Sequence, residues 1–274
     1  MKAPRPHHTA WQQLARGACV GLLLWAGLVG AADACRMSPL GKPNVVDGSV
    51  VTDGTFTTWY THLTDRYRHG VLGDALEPTT LNLLSDATSA SCGLSIVMER
   101  PYVFEDLAPR LFDLTGDGIP ELVTIRSHER LGAQIAVFGQ SPDGAALELV
   151  AETPHIGTAN RWLAPAGIGD LDGAGAFEIA FVDRPHLVKT LRVWRYEEGA
   201  LREVATLAGV TNHRIGEDFI TGGLRNCGNG PEMVLVEANW SNIVAVQFTG
   251  GELMAERVGQ FDGPGSVARA MDCR

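Results

Sequence analysis

Three histidine segments, His69-Gly-Val-Leu-Gly73, His155-Ile-Gly157 and His213-Arg-Ile-Gly216, each precede a β-prone run of the chain. Imidazole is a common metal ligand and carries positive charge once protonated, so equivalent histidines brought together could hold a metal or an anionic ligand, with Arg214 adding a fixed charge. The competing reading, which the residue types favour, is that each histidine hydrogen-bonds a connection between repeated units. Arg161, Trp162, Asp183, Arg184, His186 and Trp240 fall in other connections, and aromatics beside arginines suit carbohydrate or protein recognition. Trp194 and Phe181 sit inside strand-like runs and read as core. A nucleophile elbow, a HExxH helix, a phosphate loop and a dinucleotide fingerprint are all missing from the sequence, and Gly167-Ile-Gly169 lies between strand-like runs, with no helix after it.

The elements that would position these residues are set by a repeat. Asp113-Leu-Thr-Gly-Asp-Gly-Ile-Pro-Glu-Leu122 returns 57 residues later as Asp170-Leu-Asp-Gly-Ala-Gly-Ala-Phe-Glu-Ile179, and a third copy without the acidic ladder runs from Ile220 to Val234, with Glu232 in the place of Glu121 and Glu178. Each copy is preceded by a short apolar run (Arg110–Phe112, Leu163–Ile168, Asp218–Ile220). Three more runs follow: Glu121–Ile125, Gln134–Phe138 and Ala146–Val150; Phe177–Val182, Leu191–Tyr196 and Leu201–Ala205; Met233–Glu237, Ile243–Phe248 and Leu253–Val258. Short β-branched runs separated by turn residues predict strands, and four strands per repeat predict the blade of an all-β propeller.

Ser266–Met271 reads as an innermost strand with no blade after it. Thr79–Leu84, Gly93–Met98 and Tyr102–Phe104 read as a blade lacking one. Pairing the two ends would close a ring of four blades, or five if Val50–Thr61 contributes strands, and would remove exposed sheet edges. A two-sheet β-sandwich is the structural alternative.

With their Glu-Leu-Val and Glu-Ile-Ala continuations, the acidic loops resemble FG-GAP or VCBS repeats, the blades of integrin-α-type propellers, over about residues 105–260; the whole chain is similar to a group of exported bacterial proteins carrying this repeat. In that family the loop wraps calcium, which takes six to eight oxygen ligands. The resemblance implies as ligands Asp113, Thr115, Asp117, the carbonyl of Ile119, and Glu121. The second loop keeps Asp170, Asp172 and Glu178 but has Ala174 where the middle aspartate belongs. The third cannot hold a cation in this way. The implied function is a non-catalytic binding or scaffold module for a protein or carbohydrate ligand, monomeric, with calcium in a structural role. The alternative is a small extracytoplasmic enzyme of carbohydrate lyase or hydrolase type, working with histidines and arginines at the propeller axis.

The N-terminus places this domain outside the cytoplasm. Lys2, Arg5 and Arg16 precede an apolar run over 18–29 that is too short to span a bilayer, followed by Ala32-Asp33-Ala34. That is the layout of a signal peptide over 1–34, leaving one domain over 35–274. Periplasmic or secreted export without an anchor is preferred to lipid anchoring at Cys35, because Asp33 and Ala32 fit such a signal poorly. Four cysteines then remain, Cys35, Cys92, Cys227 and Cys273, and in an oxidising compartment they read as two disulfides. The four-blade arrangement favours Cys227–Cys273, fastening the ring, and leaves Cys35–Cys92. The formal net charge of −10 argues against nucleic acid as a partner, since phosphates need an excess of Lys and Arg.

Overall fold

The computed structural model describes residues 44–85 and 93–274. The expected signal peptide, Cys35 and Cys92 lie outside these residues. The first sheet is built in chain order from β1 (Val51–Thr52), β2 (Phe56–Thr64), β3 (Glu77–Ser85) and β4 (Leu94–Val97). The second contains β5 (Tyr102–Phe104) and β6 (Arg110–Phe112), both paired to β7 (Glu121–His128), then β8 (Gly132–Gln140) and β9 (Leu147–Glu152). β10 (Leu163–Gly169), β11 (Phe177–Asp183), β12 (Thr190–Glu197) and β13 (Ala200–Ala208) make the third. In the fourth, β14 (Val210–Thr211) and β15 (Gly223–Asn226) pair with β16 (Pro231–Glu237), followed by β17 (Asn242–Thr249) and β18 (Glu252–Gln260). Every pairing is antiparallel. The protein is all-β and propeller-like, with one helix, α1 (Pro264–Met271), among the described residues.

Burial explains the order of packing. β7 is buried at every position and β8 at all but its last, so the second sheet is covered on both faces and its apolar runs are nearly continuous. One core, with Phe56, Tyr60, Leu81, Phe104, Leu122 and Phe138, joins the first sheet to the second. A larger one, including Val123, Ile125, Phe181, Val193, Leu235 and Val246, runs through the second, third and fourth. β16 alternates: Met233 and Leu235 face that larger core, while Val234 and Val236 face Val267 and Ala270 of α1.

The structure corrects four sequence expectations. Ser266–Met271 is helical and makes no ladder with Thr79–Leu84. Pro264 in the first turn and Val267, Ala270 and Met271 at spacings of three and four form a helix with one apolar face, which caps the outer face of the fourth sheet. The first sheet needs no borrowed strand, because the 50–61 region supplies β1 and part of β2 to it and makes no fifth unit. Tyr102–Phe104 belongs to the second sheet, pairing with β7 from Tyr102↔His128 to Phe104↔Arg126. Residues 218–220 lie outside any strand, and β14 with β15 flanks β16 there.

Cys227 and Cys273 are bridged, with Cα atoms 5.7 Å apart. Because Cys273 follows α1, the bridge ties that helix to the β15–β16 turn of its own sheet. It does not fasten the first sheet to the fourth; these meet through loops, where the Gly216 amide donates to the Val71 carbonyl at 3.0 Å.

Candidate ligand-binding site

The connection between β2 and β3 runs back over the other sheets. Tyr67 and Val71 are almost wholly buried in it, and the Tyr67 hydroxyl accepts from the Asn160 amide at 3.0 Å. Between them His69 donates from Nδ1 to Oε1 of Glu105 at 2.5 Å, and the Ser127 hydroxyl of β7 donates to the other oxygen, Oε2, also at 2.5 Å. Glu105 directly follows β5 and is 0% exposed. Burial pushes its carboxyl above the usual range, opposed by the bonds and charge of His69 and the bond from Ser127. The His69 ring also lines a cavity, and among the described residues no hydrogen bond engages its Nε2.

Trp162 ties the next connection to the same point, its indole N–H donating to the Glu105 carbonyl at 2.7 Å. Arg161 and Trp162 are held by the Ala133 amide, which donates to the Arg161 carbonyl at 2.9 Å. Gly132 makes this approach workable: its φ is +73°, and a Cβ there would collide with the Thr158 carbonyl. The β11–β12 connection adds Arg184 and His186, with Arg184 in the left-handed region at φ 46° and paired through both guanidinium arms to Asp183 at 2.8 Å. Backbone strain of this kind concentrates at binding sites.

His186 and His213 form a defined tautomer chain. His213 Nε2 donates to the Glu217 carbonyl at 2.9 Å, so in the neutral ring its Nδ1 accepts, and His186 Nε2 lies 2.9 Å from it as the donor. The His213 ring also packs edge-on to Trp162 with centroids 4.8 Å apart. Burial first, then the charges of His213, His69 and Lys189, push the His186 pKa down to about 4; burial also lowers that of His213. Both are therefore neutral at ordinary pH. The result is a cavity of about 310 Å³ with His69, Trp162, His186, Arg161 and Arg184 in its walls and Leu187 and Ile215 at its rim. Those two apolar side chains are 62% and 71% exposed.

Of the sequence candidates, His69 and His213 are thus brought around Trp162 and Glu105. His155 is not: its Nδ1 donates to the Gly132 carbonyl at 3.0 Å, its ring stacks on Tyr102 and lies 5.4 Å from His128, and it faces a smaller cavity of about 210 Å³. Arg214 stacks on Trp240 at 4.0 Å and on Phe261 at 5.2 Å. Glu105 and Ser127 escaped the sequence reading. The signal for the first was an acidic pair, Glu105-Asp106, directly after an apolar strand.

The acidic loops differ from one another in charge balance. In the first, the Asp113 carboxylate accepts from the amides of Gly116, Asp117 and Gly118, Asp117 accepts from Ile119, and Glu121 accepts from Leu114. Thr115 and Ile119 are exposed there. In the second, carboxylate oxygens of Asp170, Asp172 and Glu178 lie within 4.8 Å of one another. Arg195, opposite Glu178 on β12, donates to Glu178 at 2.7 Å and also binds Asp172. In the third, Arg225 pairs with Glu232 at 2.8 Å and Gln247 donates to it at 3.2 Å. Gly139 lies against Glu121 in the first loop, where Arg195 stands in the second. A guanidinium therefore fills the cation's role in the second and third loops, and the second fits calcium poorly despite its clustered carboxylates. The first retains three carboxylates that meet no basic partner among the described residues, though they are not drawn together as those of the second loop are.

No family model matches the chain, and no curated protein matches it. Among solved structures it is similar to a protein from Lactobacillus plantarum, at 12% identity and a TM-score of 0.46 over 78% of this chain and 55% of that one. It is also similar to a chain of the complex of the fission yeast SREBP–SCAP binding domains (10% identity, TM-score 0.42, 81% and 50% covered). The third is Saccharomyces cerevisiae Sqt1 (12%, 0.41, 77% and 46%). The chain spans about half the length of each of these structures.

Proposed function

We propose that this protein is an exported, non-catalytic binding module: a four-bladed propeller of FG-GAP or VCBS type in which each sheet is one blade and the 65–76 loop closes the ring. The observation that carries the reading is the cavity of about 310 Å³ where connections from all four sheets meet, with an indole and two imidazoles inside and apolar side chains at the mouth. Among the described residues Arg161 bonds only its neighbour, donating to the Asn160 carbonyl at 2.6 Å, which leaves its charge to a ligand, whereas Arg184 is already neutralised by Asp183. This fits a carboxylate-bearing sugar or an acidic peptide end, with the apolar part on Ile215 and Leu187. The Cys227–Cys273 bridge suits an oxidising compartment, and among the described residues no helix is long and apolar enough to cross a membrane. Structural calcium at the Asp113–Glu121 loop belongs to the same proposal and requires Asp113, Asp117 and Glu121 to draw together on binding, since among the described residues the carboxylates already clustered within 4.8 Å are those of Asp170, Asp172 and Glu178.

Thermal melting against a panel of uronic acids and acidic peptides tests the reading. A ligand that raises Tm for the native protein and not for Arg161→Ala supports it. Equal shifts in both proteins, or none across the panel, count against it.

One observation favours a second reading, a carbohydrate lyase or hydrolase. Glu105 fixes His69 through Nδ1, the arrangement that orients a general base and leaves Nε2 for the substrate. Turnover of a polyuronate or an aryl glycoside that disappears in His69→Gln would select it over the binding module.

A further inference from the structure

A third and larger cavity lies away from the histidines, at the seam between the first and fourth sheets. Its volume is about 680 Å³, and its walls come from the 46–48 turn, the 72–78 segment, Asp106-Leu107 and residues 218–220. Glu77 lines it while only 2% exposed, and no hydrogen bond reaches its carboxyl among the described residues. Its carboxyl opens onto the cavity, and a group held there without a protein partner relies on solvent or a ligand to complete it. Asp47, Asp74 and Asp218 are exposed around the mouth, and Leu72, Leu76, Phe219 and Ile220 supply apolar wall between them. The remaining acid, Asp106, is spent: it is bound by both arms of Arg110 at 2.9 Å, by the Tyr60 hydroxyl and by the Ile125 amide.

The spacing of these acids decides the kind of cation. Among the described residues, the acidic side chains that bring three ligand atoms within 4.8 Å of one another are those of Asp170, Asp172 and Glu178. No three carboxylates of the seam do so, and the cavity is far larger than a bare ion. We propose that the seam cavity binds a small linear polyamine, one ammonium group at Glu77, others at Asp47, Asp74 or Asp218, with the methylene chain along Leu72, Leu76 and Phe219. The site is separate from the His69 cavity and stands or falls independently of it.

Titration calorimetry of the full chain with spermidine at physiological salt is the test. One saturable binding event is expected, accompanied by proton release as Glu77 ionises against the ammonium group, and weakened at least about tenfold by Glu77→Gln, whose amide cannot form that ion pair. Asp218→Asn, at the rim, should weaken it only about two- to fivefold. Glu77→Gln retains the shape of the side chain, and its melting curve establishes that it folds. Heat that is absent, or unchanged in both variants, would overturn the proposal, since diffuse attraction to an acidic protein survives single substitutions. Tighter Glu77-dependent binding of calcium chloride would make this a metal site, and tighter Glu77-dependent binding of an oligolysine would make it a peptide site; either would overturn it as well.

Discussion

Acid should weaken this protein partly through one imidazole. His186, within the field of His213, His69 and Lys189, has its pKa pushed down to about 4 from an ordinary 6.5, with burial as the largest cause. As pH falls the unfolded chain takes up this proton before the folded one does. The stability tied to His186 is therefore complete above about pH 6.5 and drains away as pH drops toward about 4. At about 1.36 kcal/mol per pH unit the window corresponds to at most about 3.4 kcal/mol. The ring lines an open cavity, so solvent screening reduces this to about 1.5 kcal/mol. Urea unfolding of the native protein and of His186→Gln, followed from about pH 7.5 to about pH 4.5, isolates the effect. The glutamine amide can still donate toward His213 Nδ1 and carries no titrating charge. The buried Glu77 and Glu105 push stability the opposite way over the same window, but they are common to both proteins and cancel in the difference. The native protein should lose about 1.5 kcal/mol more than the variant. Parallel pH curves would refute the reasoning.

Breaking the Cys227–Cys273 bridge with paired serines opens a loop of sequence separation 46, an expected loss of about 4 kcal/mol in urea unfolding by the chain-entropy relation. Amide exchange should then quicken in α1 while β2 and β3 stay protected, because the bridge holds a helix to its own sheet. Arg195→Gln leaves Glu178, whose side chain is 0% exposed, without its ion pair; a loss of about 2–3 kcal/mol is expected, at the low end for such pairs because Arg195 is 21% exposed. Millimolar calcium should restore part of that loss in the variant through Asp170, Asp172 and Glu178, read as a rise in Tm. Glu77→Gln should raise stability at neutral pH, because burial lifts the Glu77 pKa to about 10 and its stabilising effect, complete below about pH 4.5, is lost progressively as pH rises to about 10. Urea midpoints that match those of the native protein at about pH 8 would contradict this.

Much of the strand framework was legible because its cues are local. β-branched runs bounded by glycine-rich turns place β7 through β13 and β16 through β18 to within a few residues. What misled was the end of the chain. Ser266–Met271 contains a single β-branched residue, Val267, and two alanines after Pro264, which favours a helix; the expectation of a strand came from the demand for closure, a global argument set against local propensity. The first sheet was legible in part: Thr79–Leu84 and Gly93–Met98 fall on β3 and β4, whereas the 50–61 region was set aside for a fifth blade. Val51-Thr52 is too short to announce itself, and it matters only through its ladder with Thr57 and Thr58.

The candidate site was half legible. Sequence repetition singled out His69 and His213 but also His155, since position in a repeat says nothing about where a long connection will run. The 65–76 loop carries His69 back onto Glu105, and no pattern in the sequence encodes that reach. The acidic loops show the converse: spacing suggested ligands, yet Arg195 and Arg225 decide the charge balance from strands whose registers become known only with the ladders.

The claim on which the ligand-binding reading depends is that Glu105 holds His69 in one tautomer and so shapes the cavity. Long-range ¹H–¹⁵N correlation of the imidazole rings measures this directly. His69 is expected to carry its proton on Nδ1, with a strongly deshielded resonance that vanishes in Glu105→Gln while the sheets remain folded. A His69 ring that exchanges freely between tautomers, indifferent to that substitution, would contradict the account.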